Sequence, residues 1–188
     1  MDQQNIDKVI SNYLSKNIKF SDENIFAAKL SLLDTLGCIY NASTYDDPMR
    51  FATRDVYGAN TNPFNVLRDM QSSSEMARYF SILTRWFDYN DTFLAKEWAH
   101  PSDNIGTAFA YFTNHKEKNI SEFLQSIIQM YEIQGCLALG TSLNKKGYDH
   151  VFYVKLASGA VYSSLLSDQN PESISRTVNN VLQDGVNL

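Results

Sequence analysis

The chain has 188 residues, 44% of them hydrophobic and 20% charged, with a formal net charge of -5. That is enough apolar material for a globular core and too little charge for a disordered segment. The acidic balance and the lack of basic runs exclude a general nucleic-acid binder, no stretch approaches the ~20 apolar residues that span a bilayer, and Met1 to Asn5 lacks the basic and apolar regions of a signal peptide, so the expected setting is the cytoplasm.

Helical periodicity dominates and strand-like alternation is nearly absent, which predicts an all-α protein. Ile6, Val9, Ile10, Tyr13 and Leu14 follow the i, i+3, i+4, i+7, i+8 pattern of one helix face. A second helix, from about Asp22 to Ile39, has a wide apolar face and is expected to be central. Asp46 to Asn65, with two of the four prolines, a Gly and several Asn, reads as a short helix followed by an exposed connection. Ser72-x-x-Glu75 and Asn119-x-x-Glu122 read as capping boxes that start helices near Ser73 and Ile120.

The helix from Ile120 places Phe123, Leu124, Ile127, Ile128 and Tyr131 on one stripe, with Glu132 at its edge as a buried carboxylate bonded to backbone. Lys145, Lys146 and Gly147 mark its expected end, where cations complement the helix dipole and Gly suits the left-handed position. Asp149-His150 begins a further helix whose Ala157, Ser158, Gly159 and Ala160 permit close packing. Asn170-Pro171 caps a last helix running to about Gln183, with Asp184-Gly185 as its stop. Cys38 and Cys136 lie in apolar helical contexts with no Cys-x-x-Cys pairing and are expected to be buried, reduced thiols.

The chemistry concentrates in Arg85-Trp86-Phe87-Asp88-Tyr89-Asn90-Asp91-Thr92 and, eight residues on, His100-Pro101-Ser102-Asp103-Asn104. Two carboxylates, a hydroxyl and an imidazole in one segment suit proton transfer. Phe87, Tyr89, Phe93 and Trp98 are placed to wall off water, and Ser102 and Asp103 to cap the next helix. Taken alone, Asp91-Thr92 fits a turn cap and His100 before a proline fits a structural loop. His150 with Asp149 reads equally as a site residue or a satisfied pair at a helix start. Lys96-Glu97 reads either as reaching the pocket or as a surface pair, and His115, in a charge run, as a residue with no specific task. The three histidines are far apart and no His-x-x-x-His, Cys-x-x-Cys or glycine-rich phosphate loop occurs, so neither a metal nor a cofactor is expected.

The block RWFDYNDTFLAKEWAHPSDN, Arg85 to Asn104, resembles the N-terminal signature of the MmgE/PrpD family, and within it the enzymes that dehydrate 2-methylcitrate in the methylcitrate cycle of propionate catabolism. Met130 to Ser158 and, more weakly, Leu32 to Cys38 are similar to further family blocks in the same order. The resemblance implies a hydro-lyase acting on a small tricarboxylate without a cofactor, with Asp88, Thr92, His100 and His150 as catalytic residues. Asp91, Ser102 and Asp149 then contact substrate, and His100 donates or accepts the proton. It also implies a homo-oligomer, a dimer, with neither nucleic acid nor membrane as partner.

Family members run to more than twice this length. The expectation is therefore a single, partial helical domain over residues 1–188 with the second, lid domain absent, and an incomplete or inactive fragment. Val178, Val181 and Leu182, ahead of the apolar Val186 and Leu188, are expected to contribute to self-association or to a poorly ordered end. The alternatives are a catalytically silent helical interaction module, or another family activity such as cis-aconitate decarboxylation or isomerisation.

Overall fold

A computed structural model describes residues 5–184. Gly185 of the expected helix stop, and Val186 and Leu188 after the expected contact, lie outside the described residues, as do the first four residues of the segment read for a signal peptide. Among the described residues there are eight α-helices and one two-stranded sheet, so the chain is all-α. They divide into two compact units.

The first unit gathers the residues up to Ser21, Thr92–Pro101 and those from Ile128 onward. Helix α1 (Ile6–Leu14) packs on α8 (Pro171–Gln183), and α8 on α7 (Phe152–Leu166). The local signals for α8 act as read: Asn170 accepts from the Ser173 N–H at 3.0 Å and Pro171 occupies the first turn. Ile174 and Val178 are fully buried, which removes Val178 from any contact with another chain. Gly159 permits the α7–α8 approach, since a Cβ there would lie 3.3 Å from Val181. Helix α7 begins at Phe152, two residues after His150, because the Asp149 carboxylate accepts from the Val151 N–H and holds a turn ahead of it.

The α1 stripe is rotated from its expected position. Ile10 and Leu14 are buried, whereas Val9 is 46% exposed. The cause is polar: Asp7 turns inward to accept from Ser175 at 2.6 Å and Asn179 at 3.2 Å, both on α8, so the buried face runs through Asp7, Ile10, Ser11 and Leu14.

The second unit comprises Asp22–Asp91 and Ser102–Ile127. It holds α2 (Asp22–Ala42), α3 (Asp46–Thr53), a 3-10 turn at Asn65–Asp69, α4 (Ser73–Arg85) and α5 (Ile105–Asn114). Tyr79, Phe80 and Leu83 of α4 form its core with Ile39, Ala42, Met49, Ala52 and Val66. Gly106 lets α5 lie against α4, because a Cβ would come within 2.8 Å of the Ala77 carbonyl oxygen. Ser72 accepts from the Glu75 N–H as a cap should, but the Glu75 carboxylate reaches the Gln71 N–H, one residue before the cap's own.

Helix α2 is not central. Phe26, Leu30, Leu33 and Tyr40 are 61%, 51%, 66% and 47% exposed, and only Ala28, Thr35, Cys38, Ile39 and Ala42 are buried. A wide apolar face predicts burial only if enough neighbours exist to cover it, and here α2 packs mainly on α4.

Helix α6 (Ile120–Gly140) starts with a complete capping box: Asn119 accepts from Glu122 N–H, and the Glu122 carboxylate accepts from Asn119 N–H. Phe123, Leu124, Ile127 and Ile128 are buried as expected. The helix ends at Gly140, before the lysines, which form a separate 3-10 turn at Asn144–Lys146 closed by Gly147 at φ 82°. Glu132 is exposed and accepts from the Tyr13 hydroxyl instead of backbone, and Cys136 is exposed while Cys38 is buried.

Candidate active site

The candidate residues fall into two sets, one in each compact unit. In the second unit, α4 ends at Arg85 and the chain turns through Asp88, whose φ of 57° places a non-glycine residue in the left-handed region. Asp tolerates that conformation better than most residues, and such backbone clusters at functional loops. The Arg85 guanidinium donates to Asp88 and, at 3.2 Å, to the Asn90 carbonyl, and its Nε lies 3.9 Å from Asp103. One cation thus serves both carboxylates.

Asn90 is 3% exposed and donates from its amide to the Ser102 hydroxyl at 2.8 Å and to Asp103 at 3.1 Å. Asp91 accepts from the Ser102 N–H at 2.9 Å. Ser102 and Asp103 therefore do not cap α5 as expected: Pro101–Asn104 forms a 3-10 turn ahead of it, and their side chains tie that turn to the Asn90-Asp91 loop. Asn41 of α2 donates to Tyr89, and Phe87 stacks on Tyr89 with centroids 5.8 Å apart. Burial, with the charges of Asp34 and Asp91, pushes the Cys38 thiol up to about 11. The Leu32–Cys38 block thereby sits beside the acidic loop.

In the first unit, β1 (Phe93–Leu94) and β2 (Trp98–Ala99) form a hairpin with Phe93 opposite Ala99. Trp98 is interposed between the two candidate histidines. Its ring centroid lies 5.4 Å from that of His100, nearly perpendicular at 89°, and 3.9 Å from that of His150, tilted at 39°. His100 is buried, and the His150 side chain is 12% exposed with Nδ1 3.3 Å from the Asp149 carboxylate. Thr92 opens the strand segment and is exposed.

Glu97 is not half of a surface pair. It is 1% exposed, and its carboxylate accepts from Ser142 Oγ at 3.0 Å, the Asn144 N–H at 2.9 Å and the Asn144 side-chain amide at 3.0 Å. Burial works against its charge, but these donors, the Leu143 N–H and the nearby His150 outweigh it and hold the carboxyl below the usual range. Glu97, Asn90 and Arg85 are the residues that sequence reasoning undervalued. His115 is not idle either: its ring stacks on Tyr111 at 3.9 Å and Nδ1 meets the Tyr111 carbonyl at 2.8 Å.

Among the described residues no group of three His, Cys, Asp or Glu side chains is arranged to hold a metal ion, and no helix is long and apolar enough to cross a membrane. What the arrangement offers is acid-base and hydrogen-bonding chemistry: paired imidazoles on an aromatic platform, and carboxylates fixed by one arginine.

Residues 8–188 match the MmgE/PrpD N-terminal domain. The chain is 32% identical to the probable 2-methylcitrate dehydratase of Saccharomyces cerevisiae, over all of this chain and 40% of that protein. It is 33% identical to the 2-methylcitrate dehydratase of Escherichia coli over 97% of this chain and 39% of that one, and 38% identical to that of Cupriavidus necator over 74% and 31%. The chain belongs to the MmgE/PrpD family. It spans about two-fifths or less of the length of these relatives.

Proposed function

We propose that this chain supplies part of a hydro-lyase that removes water from 2-methylcitrate to give 2-methyl-aconitate, the dehydration step of propionate breakdown through the methylcitrate cycle. The reaction takes a proton from the carbon next to a carboxylate and releases the protonated hydroxyl as water, leaving a conjugated double bond. His100 acts as proton donor or acceptor and His150 as its counterpart, with Asp88 and Thr92 on the substrate hydroxyl and carboxylate. Asp91, Ser102 and Asp149 belong to the same proposal as residues that shape and contact the bound acid. The observation that carries the reading is that Trp98, in the segment that resembles the family signature, is held between His100 of that segment and His150 of the later block.

A cytoplasmic setting is part of the proposal, in keeping with two free thiols. The test is a chimera in which residues 8–188 replace the matching segment of the Escherichia coli relative. It is expected to dehydrate 2-methylcitrate, seen as rising ultraviolet absorbance of the conjugated product. A folded chimera that binds 2-methylcitrate without converting it overturns the assignment.

A second reading, a helical interaction module, is favoured by one observation. Phe26, Leu30, Leu33, Gly37 and Tyr40 are spaced 4-3-4-3 along α2, the repeat of a two-helix seam, and nothing lies within 4 Å of a Cβ built at Gly37. The occupant this reading assigns is a second copy of the chain. In parallel register Lys29 of one copy faces Asp34 of the other across the seam, an opposite-charge pair that an antiparallel pairing would replace with Asp34 against Asp34.

A further inference from the structure

A carboxylate that accepts three hydrogen bonds is poorly placed to move protons, so the burial of Glu97 calls for another explanation than catalysis. Its surroundings supply one. The Glu97 N–H donates to the Ala138 carbonyl near the end of α6, at 3.0 Å. Its carboxylate then gathers Ser142 and both donors of Asn144, the first residues after that helix. The chain continues from Asn144 through the Gly147 turn to Asp149 and His150. Glu97 thus anchors the start of the loop that ends at His150, and its sequence neighbour Trp98 packs against the His150 ring itself. Two consecutive residues of one hairpin fix both the loop and the imidazole.

We infer that Glu97 is a positioning residue for His150: it ties the 141–150 loop to the hairpin that carries Trp98 and His100, and so sets where the imidazole lies and which charge state it prefers. The charged and titratable groups near His150 include Asp149 from its own loop, Glu97 from the hairpin and, beyond Trp98, His100; Tyr153 of α7 in turn feels Glu97. Asp149 and Glu97 both favour a protonated His150, whereas a protonated His100 opposes it. Replacing Glu97 removes a favourable charge and slackens the loop together.

The inference rests on His150 being a site residue, yet its test reads the ligand-free protein and is independent of turnover. Proton resonances of the imidazole rings are followed across pH in the parent chain and in two variants. Glu97→Gln keeps an acceptor and removes the charge; the His150 midpoint is expected to fall by about half a pH unit. Asn144→Ala keeps the charge and the backbone N–H bond and removes one of the three donors, the side-chain amide. Here the upfield displacement of the His150 ring protons by the Trp98 face is expected to shrink, with a smaller change in midpoint. A His150 midpoint and ring shift that match the parent in both variants, with both folded by circular dichroism, overturn the inference. Failure of 2-methylcitrate dehydration with these shifts present overturns the proposed activity alone.

Discussion

The Asn90 side-chain amide donates to the Ser102 hydroxyl across 2.8 Å, closing the acidic loop onto the 3-10 turn that precedes α5. Ser102 is 1% exposed, so its hydroxyl has no access to water as a replacement partner. Asn90→Ala leaves Ser102 and Asp103 short of a donor in a buried setting, which costs about 2 kcal/mol. Urea denaturation is expected to show the midpoint moving to lower denaturant with an unchanged slope. An Asn90→Ala chain as stable as the parent would mean that the loop is closed by something other than this bond.

Glu97 also makes stability depend on pH. Its folded carboxyl lies below the ordinary value of 4.5, so the stability it contributes is complete above that value and is lost as the pH falls through the folded value. Glu97→Gln abolishes that share of the dependence. Between about pH 5 and pH 3 the parent should lose more stability than the variant. Parallel stability curves over this range would show that the buried carboxylate is not linked to folding.

The two cysteines are expected to react differently. With its thiol raised to about 11 and buried, Cys38 holds roughly one part in a thousand thiolate at pH 8 and is shielded as well. Cys136 is exposed on α6, beside the groove of about 460 Å³ lined by Ile6, Val9, Tyr13, Ile133 and Leu137. Iodoacetamide should label one cysteine in the native chain, identified as Cys136 by mass spectrometry, and both after unfolding. Equal native labelling of Cys38 would contradict its burial.

The exposed seam on α2 gives the interaction reading its own test. Gel filtration with light scattering should show a dimer at micromolar concentration that Leu33→Glu converts to monomer, because like charges then meet at the middle of the seam. Lys29→Asp should weaken it less, and Lys29→Asp with Asp34→Lys should restore it. A parent chain that stays monomeric at high concentration removes this reading.

Features encoded within a few residues were legible in the sequence. Asn170-Pro171 and the Asn119/Glu122 box place helix starts where the structure has them, because each cap satisfies orphan N–H groups with its own side chain. Close packing at Gly159 was also foreseeable from residue size, though not that α8 would be its partner. What sequence could not supply was the partner. The α2 stripe reads as core until one sees that few elements cover it, and Asp7 turns inward only because Ser175 and Asn179 are 168 and 172 residues away to receive it. Glu97 looked like half of a surface pair with Lys96 because its donors, Ser142 and Asn144, come from a loop more than forty residues downstream. The lysines after α6 misled for a related reason: those same donors are drawn off to Glu97, and the helix stops at Gly140 rather than running on to them.

The central claim is that the imidazoles flanking Trp98 belong to the reacting site and that His115 does not. The most direct measurement is kcat for 2-methylcitrate dehydration in the chimera carrying His100→Gln, His150→Gln or His115→Gln, with thermal unfolding recorded for each. His100→Gln should lower kcat at least ~10²-fold with little change in Tm, and His150→Gln should lower it less. His115→Gln loses its stacking on Tyr111 and should lower Tm while leaving kcat within about twofold. A kcat loss at His115 comparable to that at His100 would contradict the site assignment.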